Sequence, residues 1–440
     1  MGKTTFRNGI QMYDGKDLSK NKEISTVVPK GEAVYPLAQH IGLPARPVVE
    51  VGDAVSVGQR LAEAAGVVSA HVISGVSGTV KAIEERLTVA GTMCETIVVE
   101  NDGEFRTMEG LGEKREYTSL SKGEIRDYIK EAGIVGLGGV GFPTHVKLSP
   151  KNEDGIDYVI VNGAESEPYL TADECLMTEE PEKIVEGLKI LLQLFENAKG
   201  VILIEDNKPQ AVKCLSALVK NEPRITVKAV KSKYPQGAER QAIKTVTGRK
   251  MNSAMLPTDV GCVVHNVGTV YAVYMAVAES TPLIKRVVTV TGDAVANPRN
   301  VWAYMGMSYR ELAEAAGGFT EEPELFVSGG PLTGTALTDL ELPVTKTSSA
   351  LLVMKKKEAA KRLVSPCIRC GRCMEVCPSG LTPHRLIKCA EQTDCEGFVR
   401  LDGMECCECG ACSYVCPAGR MLAQEIRQTR RSILEERRRR

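Results

Sequence analysis

Cys367-Ile-Arg-Cys370-Gly-Arg-Cys373-Met-Glu-Val-Cys377-Pro378 is matched in spacing by Cys406-Cys-Glu-Cys409-Gly-Ala-Cys412-Ser-Tyr-Val-Cys416-Pro417. A cubane [4Fe–4S] cluster needs thiolates converging from several directions, and a C-x₂-C-x₂-C turn supplies three from one loop. Where two such runs occur together, the fourth cysteine of each ligates the other cluster. That assigns Cys367, Cys370, Cys373 and Cys416 to a first cluster, and Cys406, Cys409, Cys412 and Cys377 to a second. Zinc sites pair two C-x₂-C knuckles and have no use for the Cys-Pro ending. The sequence therefore describes a carrier of single electrons.

The surrounding chain bounds what kind of carrier this is. Its 440 residues leave room for about three domains. A net charge of −1 gives no electrostatic footprint for nucleic acid. No apolar run reaches the length of a membrane span, and MGKTTFRNGIQMYDGKDLSK lacks the apolar centre of a signal peptide. Fifteen cysteines without an export signal point to a reducing compartment, the cytoplasm, and argue against a disulfide framework. The ending RRSILEERRRR, from Arg430, is basic; it reads as a solvated terminus or as attraction to an anionic membrane or acidic partner.

Four regions follow from periodicity and punctuation. Residues 1–115 hold short β-branched segments broken by glycine, with hairpin signals at Gly52-Asp53 and Gly75 to Gly78. GDAVSVGQ followed by SGVSGTV resembles the barrel-sandwich domains of the biotinyl and lipoyl family. The segment between those motifs contains His71 but no attachment lysine, which implies a structural or docking role. Residues 116–282 alternate helix and strand, predicting an α/β domain with a largely parallel sheet. Ser121 and Glu124 are placed as a capping box, and Pro181 suits a first helical turn. Residues 283–350, with VVTVTGDAV, SYRELAEAAGG, ELFVSGGPL and ELPVTKT, read as a strand–helix–strand α+β unit. Residues 351–440 begin with the charged connection KKKEAAKRLV, read as helical, and carry the cysteine runs. The fold class is thus α/β and α+β multidomain, ending in a two-cluster, ferredoxin-like helical domain.

The α/β region opens with Gly133-Ile-Val-Gly136-Leu-Gly138-Gly139-Val-Gly141-Phe142-Pro143-Thr144-His145-Val-Lys147. Such glycine density lets backbone amides approach an anion, and Lys147 adds a mobile positive charge. Read alone, the loop also has the reading of a structural turn with no ligand. A helix precedes it, whereas the dinucleotide fingerprint follows a strand. Glu165 and Glu167 read either as solvated carboxylates at a strand end or as part of a site there.

Taken together, the segments resemble the flavin-carrying subunit of respiratory complex I and, more closely, the RnfC family. The loop GLGGVGFPTHVKL, Asn162-Gly-Ala-Glu165-Ser-Glu167-Pro168, Tyr234-Pro-Gln-Gly237-Ala-Glu239 and His265-Asn266-Val-Gly-Thr269 carry the likeness to the first. The likeness to RnfC extends from TFRNGI and KDLSKNKEI through VYPLAQHIGLPARP and the β-grasp segment TVTGDAVANPRN to the cysteine runs. The resemblance implies FMN held by the loop, with Gly136, Gly138, Gly139, Gly141, Phe142 and Lys147, and by Asn162 and Asn266, and it implies Glu165, Gly237 and Glu239 as further cofactor-binding residues. It implies NAD(H) facing Glu167 and the adjoining loop.

As an RnfC, the chain would sit peripherally on the cytoplasmic face of the cell membrane. There it would join other subunits of an Rnf-type complex and, indirectly, ferredoxin, in an oxidoreductase that translocates Na⁺ or H⁺. The residues implied bind and tune cofactors and do no acid–base catalysis. Ala164, Ala238 and His265 depart from the complex I pattern, the connection between the cysteine runs is short, and GIQM replaces the usual His-Pro pair. These departures keep a soluble relative in play, a cobalamin reductase or a proline-reductase electron carrier. Cys175, Cys389, Cys395 and Cys407 lie outside the runs, and Cys94, Cys214 and Cys262 are expected in the core.

Overall fold

A computed structural model describes residues 4–355 and 363–439, with side chains through residue 437. Most of the connection read as helical, residues 356–362, lies outside the described residues.

The barrel sandwich is built from β2 to β8, after a short β1 (Ser25–Thr26) that pairs elsewhere. Its strands are β2 (Ala33–Pro36), β3 (Arg46–Pro47), β4 (Ala54–Val55), β5 (Arg60–Glu63), β6 (Val72–Ile73), β7 (Gly78–Leu87) and β8 (Met93–Asn101). They form two sheets, β2-β8-β7-β4 and β3-β5-β6. Tyr35, Leu61, Val72, Val80, Ile97 and Val99 fill the space inside. The two glycine signals are not hairpins. Gly52-Asp53 joins β3, paired to β5, with β4, paired to β7; Gly75 to Gly78 joins β6 to β7, again across sheets. A sandwich of short strands must swap sheets at such corners, and a Cβ on Gly78 would lie 1.9 Å from the Glu100 carbonyl oxygen. His71 is buried, with Nδ1 accepting from the Ala64 amide at 3.1 Å, a packed side chain.

The central domain runs α1 (Lys122–Glu131), α2 (Thr144–Lys147), β9 (Tyr158–Gly163), α3 (Ala172–Glu179), α4 (Pro181–Leu194) and β10 (Lys199–Glu205). It continues with α5 (Pro209–Leu218), β11 (Ile225–Val230), α6 (Glu239–Thr247), β12 (Cys262–Asn266) and α7 (Val267–Ala278). The Ser121–Glu124 capping box starts α1 as read. The sheet, ordered β11-β10-β9-β12, is parallel throughout. Helices cover it, so Val159, Ile160, Val161, Ile202, Leu203 and Ile204 are all buried, the continuous apolar run that such strands require. The chain builds β9, β10 and β11 outward in one direction, then returns to place β12 on the far side of β9. That reversal is a topological switch point, where open α/β sheets place ligands beyond the strand C-termini.

The β-grasp unit contributes β13 (Lys285–Thr291), β14 (Arg299–Tyr304), α8 (Tyr309–Ala315), β15 (Pro323–Ser328), β16 (Thr335–Ala336) and β17 (Ala350–Lys355). Its sheet order is β1-β14-β13-β17-β15-β16. ELPVTKT forms no strand; it is extended chain with one bridge, Ser308 to Pro343, and β17 takes the sheet position instead. The sheet therefore continues past residue 350 to Lys355.

The cysteine runs adopt one backbone twice. Arg369 and Glu408 both have φ of 56°, and Gly371 and Gly410, at 80° and 76°, stand before α9 (Arg372–Glu375) and α12 (Ala411–Tyr414). Between the runs lie α10 (Pro383–Glu391) and α11 (Cys395–Arg400), and α13 (Leu422–Arg439) packs along α10. Leu386, Ile387, Phe398, Leu422, Ile426 and Ile433 make the core of this domain. Cys175 and Cys262 are buried, whereas Cys94 and Cys214 are only half-buried, short of the core position expected.

Candidate cofactor cleft and cysteine cages

At the switch point Asn162, one residue before the end of β9, lies directly across from Asn266, which ends β12. Asn266 caps α7, with Oδ1 accepting the Gly268 amide at 2.9 Å, and Nδ2 donates to Asp173 Oδ2 at 2.7 Å. Asn162 Nδ2 donates to the Gly237 carbonyl at 2.8 Å, and the Gly237 amide donates to Ser166 Oγ at 3.0 Å. These bonds tie the loops after β9, β11 and β12 into the wall of one cleft of about 380 Å³, the size of a small-ligand pocket.

The glycine loop forms another wall. It closes on itself through Gly136 N–H to the Phe142 carbonyl at 2.9 Å and Gly141 N–H to the Gly136 carbonyl at 3.2 Å. Gly138 and Gly139 face the cleft, whereas Gly136, Gly141 and Phe142 do not line it and serve the closure. Gly139 has φ of 106°, and a Cβ there would meet nothing within 4 Å. A side chain at 139 would meet a bound ligand before it met the protein.

Seven residues implied by the sequence line the cleft: Gly138, Gly139, Asn162, Glu165, Glu167, Gly237 and Asn266. Lys147 is not among them; its Nζ lies 2.6 Å from Glu239 Oε1, so these two are partners outside the wall. The side chain of Glu165 is buried, with Oε1 accepting the Asp173 amide at 2.7 Å. Its Oε2 has no hydrogen-bond partner among the described residues and lies 3.7 Å from Lys16 Nζ. Glu167 turns toward the β-grasp unit, where Oε1 accepts the amides of Leu332 at 2.7 Å and Thr333 at 3.0 Å. His265 is fully buried beneath the strand end, and burial drives its pKa well below the ordinary range, so it is neutral.

Among the lining residues that the sequence did not assign to a site, three bear on its chemistry. Arg286, on β13, is the one Lys or Arg side chain of the lining among the described residues; it donates to the Leu137 carbonyl at 3.0 Å and to the Lys346 carbonyl at 2.5 Å. Burial lowers its pKa to about 10, and it stays charged at neutral pH. Burial, reinforced by the Glu165 carboxylate, raises Asp173 to about 7. Cys407 lines the cleft together with Cys409. Only the duplicated cysteine at 406–407 hinted at it.

The cysteines gather as the crossed pattern requires. Cys367, Cys370, Cys373 and Cys416 line one cavity; Cys377, Cys406, Cys409 and Cys412 line a second, with Cys407. Cys367 and Cys370 are exposed, whereas the second set is half-buried or buried. Among the described residues no three His, Cys, Asp or Glu side chains are grouped to hold a single metal ion. Two sets of four thiols around two cavities fit cubane clusters. The cleft fits a flavin mononucleotide, with open glycine amides for phosphate, one fixed cation, and paired asparagines and carboxylates for a polar ring edge.

Comparison with known proteins bears on the same regions. Residues 129–275 match the Nuo51 FMN-binding domain, residues 4–104 the RnfC barrel sandwich hybrid domain, and residues 287–336 the SLBB domain. A subunit of the Na⁺-translocating ferredoxin:NAD⁺ oxidoreductase complex of Acetobacterium woodii is 39% identical over 434 residues, covering 99% of this chain and 98% of that protein. This chain belongs to the RnfC family. A subunit of the proton-translocating ferredoxin:NAD⁺ oxidoreductase complex of Clostridium ljungdahlii is 41% identical, covering 87% of this chain and 83% of its own length. A subunit of the ion-translocating oxidoreductase complex of Pseudomonas aeruginosa is also 41% identical, over 84% of this chain and 49% of its own. In this RnfC the barrel sandwich and the SLBB domain thus frame the flavin domain.

Proposed function

We propose that this protein is the subunit of a membrane-bound, ion-translocating ferredoxin:NAD⁺ oxidoreductase complex that passes electrons between two [4Fe–4S] clusters, FMN and NAD(H). The observation that carries the proposal is that Cys407 and Cys409 line both the cleft of Asn162 and Asn266 and the second cysteine cavity. The names of the two relatives that span most of this chain support the complex and the nucleotide. No helix among the described residues is long and apolar enough to cross a membrane. Peripheral attachment at the cytoplasmic face, through other subunits of the complex, is consistent with that.

Bound FMN would exchange hydride with the nicotinamide and single electrons with the clusters. The protein's part is to hold, polarise and exclude. Gly138 and Gly139 would offer amides to the phosphate. Arg286 would oppose negative charge in the cleft, and Asn162 and Asn266, each fixed by its own hydrogen bonds, would orient polar ring atoms. Cys377, Cys406, Cys409 and Cys412 would hold the cluster beside the cleft; Cys367, Cys370, Cys373 and Cys416 would hold the outer one. The exposure of Cys367 and Cys370 supports the outer cluster as the point of exchange with another electron carrier.

The test is NADH-dependent ferricyanide reduction by flavin-loaded protein. Activity that needs FMN and survives loss of the clusters is expected. A flavin-loaded protein that ignores NADH overturns the proposal.

A further inference from the structure

We propose that the N-terminal segment Asn8–Ile10 is a positioning strap that fixes the second cysteine cage against the cofactor cleft. The inference rests on the electron path proposed above. Three consecutive residues hold both partners. Asn8 Nδ2 donates to the carbonyl of Cys377 at 3.0 Å, and the Gly9 amide donates to the carbonyl of Val376, also at 3.0 Å. Ile10 and Tyr234 then exchange amide-to-carbonyl hydrogen bonds, both 2.9 Å long. Cys377 is the first run's contribution to the second cage, and Tyr234 lines the cleft. The strap therefore bonds a cage cysteine and a cleft wall within three residues, across 369 residues of sequence from Asn8 to Cys377.

Packing supports the same junction. Ile10, Tyr234 and Ala411 form a small buried cluster, with Met12, Leu332, Val376, Cys409 and Val415 against it. Four parts of the chain meet there: the N-terminal segment, the α/β domain, the β-grasp unit and the cluster domain. Neither Asn8 nor Gly9 lines the cleft or either cage, so their part is positional. The backbone is built for it, since Asn8 and Gly9 are both left-handed, with φ of 63° and 79°. Asparagine tolerates that region and glycine occupies it freely. A Cβ on Gly9 would lie 2.6 Å from the Tyr234 carbonyl oxygen and 2.8 Å from the Phe6 ring. Alanine there must push the strap away from Tyr234. Single-electron transfer falls steeply with the separation of the centres, so a looser strap slows transfer without touching either cofactor's ligands.

Two full-length variants test this, each loaded with FMN and reconstituted with iron and sulfide. Asn8→Asp keeps size and backbone preference but turns a carboxylate oxygen toward the Cys377 carbonyl; Gly9→Ala introduces the clash. Flavin is reduced by a light pulse with a photoreductant, which needs no NADH, and arrival of electrons is read as bleaching of cluster absorbance. Flavin and iron contents at wild-type level, cluster bleaching slowed several-fold, and faster hydrogen exchange at the Ile10 and Tyr234 amides are expected. Wild-type bleaching rates with accelerated exchange would reduce the strap to a fold contact and overturn the proposal. If Gly9→Ala loses iron, Asn8→Asp decides alone. A wild type that ignores NADH yet transfers electrons after the light pulse would overturn the proposed function and leave the strap standing.

Discussion

The phenol of Tyr234 donates a 2.6 Å hydrogen bond to the carbonyl of Cys409, joining the loop after β11 to the second cysteine run. Burial, with Glu167 nearby, raises the Tyr234 pKa, so the hydroxyl remains a donor throughout the neutral range. A second clamp lies close by: Glu405, next to Cys406, accepts from Arg240 Nη1 at 3.0 Å and from the Ser253 hydroxyl at 2.6 Å. Tyr234 reaches the second run, Arg240 and Ser253 reach the residue just before it, and the strap reaches the second cage through Cys377. The cage beside the cleft is thus anchored from three directions, while the outer cage stands at the surface.

Cys373→Ser should remove far more iron than Cys389→Ser. Cys373 lines the first cage, whereas Cys389 sits on α10 and lines neither cavity. Iron analysis of the two purified variants decides it. Equal losses would sink the ligand assignment.

Gly139→Val should purify with little flavin and with both clusters spectroscopically intact. The new side chain would stand in open cleft space, on a backbone at φ 106° that a β-branched residue resists. Full flavin content in the variant would leave the loop a structural turn and nothing more.

Glu167→Ala should loosen the β-grasp loop that follows Gly330. Its carboxylate accepts the Leu332 and Thr333 amides, and hydrogen bonds to a charged group are worth about 1.5–3 kcal/mol. Hydrogen exchange at those two amides should speed up and the melting temperature should fall, with Glu167→Gln milder because an amide oxygen still accepts. Unchanged exchange in Glu167→Ala would mean the loop is held by other contacts.

Asp173 makes the flavin-free protein pH-sensitive in a defined direction. Its folded pKa of about 7 lies above the ordinary carboxylate value, so between those two values the folded state holds a proton that the unfolded state has lost. This stabilising contribution is complete below about pH 4 and disappears as pH rises through 7. Asp173→Asn should therefore flatten the fall in thermal stability over that range and leave the variant more stable than wild type at pH 8. Glu174, raised to about 7 by burial, titrates in both proteins, so the difference between the two profiles isolates Asp173. Superimposable profiles would show that Asp173 is not held protonated.

Local features were legible in the sequence, and side chains that act across domains were not. The duplicated cysteine spacing predicted two cages because each run is one continuous turn, and the structure repeats φ of 56° at Arg369 and Glu408. Asn162 was legible at the close of the apolar run IDYVIV, whereas Asn266 was named only through the resemblance. The Gly52 and Gly78 corners were misread because the same glycines serve a hairpin and a change of sheet; only pairing partners tell them apart. Arg286 stands just before the VVTVTGDAV segment and carried no signal of its own, since its role depends on the Leu137 carbonyl, 149 residues away. Lys147 looked like the cleft's cation, but no local pattern showed that Glu239 would claim it. Glu167 was legible as a site acid, yet its partners, Leu332 and Thr333, come from another domain.

The most direct test of the electron path is anaerobic addition of NADH to the flavin-loaded protein, with the clusters followed by electron paramagnetic resonance. Gly139→Val, prepared without flavin and with full iron, serves as the comparison. NADH should reduce the clusters in the wild type and leave them oxidised in the variant, while dithionite reduces them in both. Cluster reduction by NADH in the flavin-free variant, or none in the flavin-loaded wild type, would contradict the account.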